Sequence, residues 1–241
     1  MKKTIGLFVT FLLILSGCQS VPAKDSIIEV PQDAIPTLPH VYSQIVTDYA
    51  TIVEYRISDN FESDYTSGKY FEISDTLSAI ITDDLGYQWH CMLADMTDTV
   101  DSPQKSSFGY ILKDINDDDI QELFWVCEAR TILAIFTLYE NRPYLIGAFW
   151  PRYQCVITDN DELFIRASGA WNHVIFQKYQ LLPKSTQLLA TAEYGMEDSV
   201  CYEMINGKKV AIEESRLSEL LQFNPFQSGT KWNDERIFYL N

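Results

Sequence analysis

The sequence lacks the short patterns that mark the commonest enzyme families. No H-E-x-x-H, phosphate-binding loop, dinucleotide-binding or G-x-S-x-G pattern occurs in it. Only three histidines are present, His40, His90 and His173, and nothing local supports a catalytic role for them. Carboxylates are plentiful, so an extracellular carboxylate-dependent hydrolase of the glycosidase type stays open as an alternative. The sequence singles out no pair of acids for that chemistry.

Basic residues are also scarce. The chain has 18 Lys and Arg against 34 Asp and Glu, which gives a formal net charge of -16. Binding to a phosphate backbone requires clustered Lys and Arg, whereas the longest basic run beyond the N-terminus is Lys208-Lys209. We therefore expect no nucleic-acid partner.

The most hydrophobic run, Ile5 to Leu15, is too short to cross a bilayer comfortably. It follows Met1-Lys2-Lys3 and leads into Leu15-Ser16-Gly17-Cys18, an order typical of a secretory signal. The last four residues resemble the bacterial lipobox. That resemblance implies a signal peptide over residues 1–17, cleavage before Cys18, and a diacylglycerol carrying fatty acids such as palmitate on the Cys18 thiol. The expected location is the cell membrane, lipid-anchored and facing the extracytoplasmic side.

No two cysteines have the C-x-x-C spacing, so zinc binding and thiol redox chemistry are poorly supported. With Cys18 assigned to lipid, the others lie in apolar runs. Disulfides are permitted outside the cytoplasm, and buried thiols are the alternative. The sequence leaves open the state of these four residues: Cys91, Cys127, Cys155 and Cys201.

The first part of the chain is predicted to be a tether followed by helices. Residues 18–37 contain three prolines and predict a flexible tether. From Leu38 to Ile57 apolar residues recur every three or four positions, which predicts a helix. A second such stripe runs from Tyr70 to Leu85, and Gly86 fits the position after its end. Residues 87–96 fit either a helix or a strand, within a helical segment over 38–97.

Beyond residue 98 the apolar period changes to that of β-strands. The short runs are rich in Val, Ile, Phe, Tyr and Thr, and turn residues separate them. Connections this short permit only antiparallel pairing. The predicted strands are Phe108–Lys113, Gln121–Cys127, Thr131–Tyr139, Tyr144–Phe149, Gln154–Thr158, Glu162–Ala167, Val174–Leu181, Gln187–Tyr194, Ser199–Ile205 and Lys208–Ile212, with a last one at Arg236–Leu240.

Together these patterns predict an α+β fold in which N-terminal helices pack on an antiparallel β meander. The β domain spans 98–241 and includes a C-terminal helix at Glu213–Phe223. With 46% hydrophobic residues, the chain from 38 to 241 can form one globular unit.

The most distinctive internal stretch is an acidic segment between two apolar runs, residues 110–126. Alternate residues of a tight loop point inward, so the spacing D-x-N-x-D-x-x-x-E can place several hard oxygens around one Ca²⁺. Acids this crowded repel one another unless a cation or solvent relieves them. The alternative is a solvated acidic hairpin without an ion. The oxygen-bearing residues are Asp114, Asn116, Asp118 and Glu122.

This segment resembles the D-x-[DN]-x-D-G-x-x-[DE]-L loops of integrin-type (FG-GAP) and related bacterial surface β-repeats. It is also similar to a segment of lipoproteins from low-GC Gram-positive bacteria. In such families the loop joins adjacent strands and binds Ca²⁺. The resemblance implies side-chain ligands from the four residues above and a backbone carbonyl from Ile120. Two departures matter. Asp119 replaces the usual Gly, where φ > 0 is often needed, and a single copy does not imply a full propeller.

Exposed aromatic residues are a second candidate site. Trp150, Tyr153, Trp171 and His173 fall at the ends of predicted strands. Trp and Tyr there would stack on a sugar ring or grip a peptide, and the alternative is that they cap the core.

These observations predict a membrane-anchored extracytoplasmic lipoprotein of the cell envelope. Its body is expected to be a non-catalytic binding module, stabilised by Ca²⁺, with an unknown protein or carbohydrate as partner. Besides the hydrolase, a second alternative is an immunity-type or structural envelope lipoprotein.

Overall fold

The structure is a computed structural model, and it describes residues 38–58, 75–97, 100, 102–127, 131–170, 172–222, 226 and 235–240. These residues belong to one compact unit. The predicted signal peptide over 1–17, the lipidated Cys18 and the tether over 18–37 lie outside the described residues, as does Trp171.

The helices of the described part lie mainly before the sheets. They are α1 (His40–Arg56), α2 (Asp75–Ile80), α3 (Asp83–Asp95) and α4 (Glu214–Leu220), with a 3-10 turn at Lys105–Ser107. The predicted first helix is confirmed. The prediction that Gly86 ends the second helix is wrong. The helical path breaks earlier, at Ile81 and Thr82, and Gly86 N–H bonds to Thr82 O at 2.9 Å in the first turn of α3. No described helix is both long and apolar enough to span a bilayer.

The strands form two open antiparallel sheets, so the predicted α+β fold without a propeller is confirmed. The strands of the described part are β1 Phe108–Lys113, β2 Glu122–Cys127, β3 Ile132–Tyr139, β4 Arg142–Ala148, β5 Tyr153–Ile157, β6 Leu163–Ala170, β7 His173–Leu181, β8 Leu188–Glu197, β9 Val200–Ile205, β10 Lys208–Ala211 and β11 Phe238–Tyr239. Sheet A has the order β11-β1-β2-β3-β4, and sheet B has the order β10-β9-β8-β7-β6-β5. The meander therefore divides between β4 and β5.

Sheet A lies between helices α1–α3 and sheet B, whereas α4 packs against sheet B. Successive strand residues face opposite sides, and all six residues of β2 are buried. On one side Trp125 stacks on Tyr49 of α1, with ring centroids 4.2 Å apart. On the other side Phe124 and Val126 share a cluster with Leu163 and other residues of sheet B. Burial on both faces explains why β2 is a continuous apolar run rather than an alternating one.

The four cysteines of the described part form no disulfide. Cys127 and Cys155 are buried, and Cys91 and Cys201 are half-buried. Burial raises the pKa of the Cys155 thiol well above its usual value, so this thiol is held in its neutral, unreactive form.

Candidate functional site

The acidic segment forms an eight-residue loop that joins β1 to β2. The two strands pair up to Lys113↔Glu122 at the base of the loop. Helix α1 contacts the same place, because Tyr42 OH donates to Gln121 O at 3.1 Å and to Phe136 O at 3.3 Å. The loop is therefore anchored to the sheet at its base and to a helix beside it.

Asp114 organises the backbone of the loop. Its Oδ1 accepts hydrogen bonds from the N–H of Asn116 at 3.2 Å and of Asp118 at 3.4 Å. Its Oδ2 accepts one from the N–H of Asp119 at 2.9 Å. One carboxylate thus accepts hydrogen bonds from three backbone N–H groups, and the backbone of the loop turns around it. The loop needs left-handed backbone at Asp117 (φ 56) and Asp119 (φ 66) to make this curve. Asp tolerates that conformation better than most residues.

Asp118 joins the loop to sheet B. Its Oδ1 accepts from the N–H of Ile120 at 2.9 Å, and its Oδ2 accepts from the N–H of Lys184 in the β7–β8 turn at 2.6 Å. Asn116 Nδ2 lies 3.5 Å from Leu182 O in the same turn. The acidic loop therefore connects the β1–β2 end of sheet A to the β7–β8 turn of sheet B, a role that local spacing does not reveal.

Asn116 has an oxygen without a partner. Its Oδ1 is buried and accepts no hydrogen bond. The residue lines a cleft of ≈240 Å³ between the loop and the turns of sheet B, together with Asp117, Asn160 and Asp161. A buried oxygen without a donor is costly, and a bound cation beside it would remove that cost.

Glu122 is the first residue of β2 and differs from the acids of the loop because it lies in the interior. Its Oε2 accepts from the N–H of Ile115 at 3.1 Å, and its Oε1 accepts from Thr137 Oγ1 at 2.9 Å. Burial raises its pKa to about 7, and the charges of Asp118 and Asp114 add to the shift, while the two hydrogen bonds oppose it. This carboxyl is a buried polar group in the hydrophobic layer between the sheets, and it links β2 to β3 and to the loop.

The donor set of the loop is chemically suited to Ca²⁺, but its carboxyls face backbone N–H groups. Within the described part of the chain, no group of three or more His, Cys, Asp or Glu side chains is arranged to hold a metal ion. Calcium binding at Asp114, Asn116, Asp118, Ile120 and Glu122 therefore stays a prediction, and it requires the carboxylates to turn toward one centre.

Comparison with known proteins adds no assignment. No protein family, curated protein or solved structure gives a significant match to this chain.

The second candidate site is partly assembled. Trp150 and Tyr153 lie together where the chain passes from sheet A to sheet B, with ring centroids 4.9 Å apart. His173 begins β7, and its Nδ1 lies 4.0 Å from Glu197 Oε1. The structure gives no contact between His173 and either ring among the described residues.

Sequence reasoning missed several residues that the fold brings to these sites. Thr137 and Lys184 bond to the acids of the loop from 15 and 66 positions away. Tyr87 lies on α3 and meets the ring of Trp150 edge-on at 6.1 Å. Its segment fitted a helix or a strand, and no local pattern marked this residue.

Proposed function

We propose that this protein is a membrane-anchored extracytoplasmic lipoprotein whose folded body is a non-catalytic binding module. The anchor is Cys18, and the support for it is the lipobox-like Leu15-Ser16-Gly17-Cys18 after a short apolar run. With Cys18 lipidated and the described body starting at residue 38, the intervening stretch would act as the tether.

One observation carries the binding role: an aromatic side chain that the core does not need. Tyr87 leaves 73% of its surface exposed beside the ring of Trp150. Rings left on a surface next to one another mark an interaction site more often than rings scattered singly.

Among the described carboxyls, the one at Glu122 has a pKa raised to about 7, which would suit a general acid, but it is not accessible. Glu122 is 0% exposed, and both of its oxygens accept hydrogen bonds from inside the protein. A general acid must reach the substrate. Glu122 therefore does not favour the alternative of a carboxylate-dependent hydrolase.

Calcium is the ion that we propose for the loop between β1 and β2. Its support is the oxygen-rich ligand set and the buried Asn116 Oδ1, which accepts no hydrogen bond. The ion would be held by Asp114, Asn116 and Asp118, with Ile120 O and Glu122 as the further predicted ligands. It would relieve the repulsion among the acids and bind the loop more firmly to the body.

The anchoring test compares the wild-type chain with Cys18→Ala in a bacterial host. The wild type is expected in the membrane fraction, labelled by a radioactive or alkyne-bearing palmitate. The variant is expected to lose the label. An unlabelled wild type in the soluble fraction contradicts the anchor.

The calcium test is thermal unfolding of the full chain in millimolar Ca²⁺ and in excess chelator. A ligand that binds only the folded state raises Tm, so we expect a higher Tm in Ca²⁺. Asp118→Asn should abolish the rise, whereas Asp159→Asn, in the turn between β5 and β6, should keep it. Equal wild-type Tm values with ion and with chelator reject the calcium part alone.

A further inference from the structure

Four aromatic rings form a row from the interior to the surface. Phe149 is buried and stacks on Tyr153, with centroids 5.6 Å apart and planes within 15°. Tyr153 meets Trp150 at 4.9 Å, and Trp150 meets Tyr87 at 6.1 Å with perpendicular planes. The inner rings stabilise the crossing from sheet A to sheet B. The outermost ring adds one edge contact and gains little from folding, because most of it stays in water.

The row ends beside a cation. Arg152 is exposed and lies two residues beyond Trp150. The pKa of Tyr87 is raised, chiefly by a hydrogen bond with the Cys91 thiol, while the charge of Arg152 acts in the opposite direction. The backbone places Arg152 in the tight turn that Trp150 and Tyr153 close, where the Trp150 N–H bonds to Tyr153 O at 3.0 Å and the Tyr153 N–H bonds to Trp150 O at 2.8 Å. Helix α3 and the β4–β5 crossing therefore present two aromatic rings and a guanidinium on one surface.

Arg152 forms no ion pair with any described residue, although the chain is rich in acids. Among the described residues, some surface cations are paired, such as Lys105 with Glu54, Lys209 with Glu197 and Arg216 with Glu203. Others, such as Arg142, are not. A guanidinium can form two parallel hydrogen bonds to a carboxylate or a phosphate, and Arg152 retains that capacity for a ligand.

We propose that Tyr87, Trp150 and Arg152 form a binding surface for an acidic saccharide. The flat C–H face of a sugar ring stacks on the aromatic rings, and its carboxylate or phosphate group bonds to the guanidinium. This inference rests on the proposed role as a binding module, and it names the ligand class. A protein partner fits less well, because a stable protein interface needs about 800 Å² per side, and this surface presents only a few side chains.

The charges nearby fix the orientation of the ligand. Asp83 and Asp84 open α3 and lie about one helical turn from Tyr87. They repel an anionic group, so the acidic group must lie on the Arg152 side. Replacing Asp84 by Asn should therefore strengthen binding without adding a contact.

The experiment is a titration of the full chain with defined saccharides, in which calorimetry measures the heat of binding. The acidic probes are hexagalacturonate and a phosphorylated maltohexaose, and the neutral probe is maltohexaose. We expect an acidic probe to bind at least about tenfold more tightly than the neutral probe, and Asp84→Asn to bind it about twofold more tightly. Tyr87→Ala and Arg152→Ala should each weaken binding about tenfold. Arg152→Lys should restore only part of the loss, because it keeps the charge but not the paired geometry.

The matched control is the double variant Tyr139→Ala/Arg142→Ala. Tyr139 is 38% exposed and meets Tyr144 edge-on at 6.2 Å, and Arg142 is also exposed, so the same residue types are removed from a similar surface. The control should bind like the wild type, and unchanged Tm values should show that all variants fold. No binding of either acidic probe, equal binding of maltohexaose, or an equal loss in the control overturns the proposal. Membrane labelling through Cys18 is measured separately, so failure of the saccharide surface is distinguishable from failure of the anchor.

Discussion

Thr137 Oγ1 donates a hydrogen bond to Glu122 Oε1 across 2.9 Å, and both side chains are buried where β2 and β3 run side by side. A buried carboxyl needs such donors, because an ionised group without them loses its hydration uncompensated. The N–H of Ile115, next to the loop, supplies the second donor at 3.1 Å. The ionisation of Glu122 is therefore coupled to the packing of the sheets and to the base of the acidic loop.

The first prediction concerns the pH dependence of stability in Glu122→Gln. The pKa of Glu122 is raised from 4.5 to about 7 in the folded protein, so folding favours the protonated form. The stability that this group contributes is full below about pH 4.5 and is lost as pH rises through about 7. The loss is on the order of 3 kcal/mol. We expect the variant to gain stability relative to the wild type between these values.

Urea unfolding at pH 4.5, 6, 7 and 8, in chelator, measures this difference. Glu140→Gln, at an exposed glutamate in the turn between β3 and β4, should follow the wild type across the range. A constant difference between Glu122→Gln and the wild type at every pH contradicts the prediction.

The second prediction compares two threonine–glutamate hydrogen bonds. Thr137→Val removes the buried donor to Glu122 and should lower the free energy of unfolding by about 1–3 kcal/mol. Thr191 Oγ1 donates to Glu162 Oε1 at 3.0 Å on the surface, so Thr191→Val should cost less than about 0.5 kcal/mol. Chemical denaturation of both variants gives the two values. Similar losses of unfolding free energy in the two variants would show that burial does not determine how much such a hydrogen bond stabilises the protein.

The third prediction concerns the link between the two sheets. Asp118→Ala removes the acceptor of the N–H groups of Ile120 and Lys184, and we expect a loss of about 1–2 kcal/mol. Amide hydrogen exchange should accelerate at those two positions and stay unchanged at Leu123 in β2. Asp117→Asn, next to it in the loop, should leave both amides protected. Equal exchange in all three proteins contradicts the link.

The fourth prediction concerns the backbone at Asp119. Its φ of 66 lies in the left-handed region, which glycine adopts without a steric cost. Asp119→Gly should keep the N–H bond to Asp114, relieve repulsion among the acids, and change stability by no more than about 1 kcal/mol, in the favourable direction. Asp119→Val should cost more than about 1 kcal/mol, because a β-branched residue fits this region poorly. Thermal unfolding that ranks Val above Gly contradicts this account.

Local pattern was sufficient for the strands on either side of the acidic loop. The prediction placed them at Phe108–Lys113 and Gln121–Cys127, and the structure has Phe108–Lys113 and Glu122–Cys127. Apolar runs of strand length with acids between them encode a hairpin within one short stretch of chain. The helix in α1 is predictable for the same reason, since its apolar period of three to four residues is local.

The local sequence pattern failed to predict the structure where the deciding contact joins residues that are far apart in the sequence. The sequence pattern predicted a helix end at Gly86, because the apolar stripe that begins at Tyr70 stops at Leu85. In the structure the chain starts a new helix at Asp83 and carries Trp89 and Met92 into the core. Burial of those side chains outweighs the helix cost of a glycine, which is about 1 kcal/mol. The partner of Asp118 was equally hidden, because Lys184 lies 66 positions away.

The sequence by itself determined the strongly acidic character, the antiparallel pairing of closely spaced strands and the hairpin around the acidic loop, because each depends on composition or on neighbours along the chain. Only the tertiary structure decided that the meander divides into two sheets, that Glu122 faces inward while Asp118 joins the sheets, and that Tyr87 meets Trp150. These outcomes depend on contacts between segments that meet only after the apolar faces of the helices and sheets have been buried together.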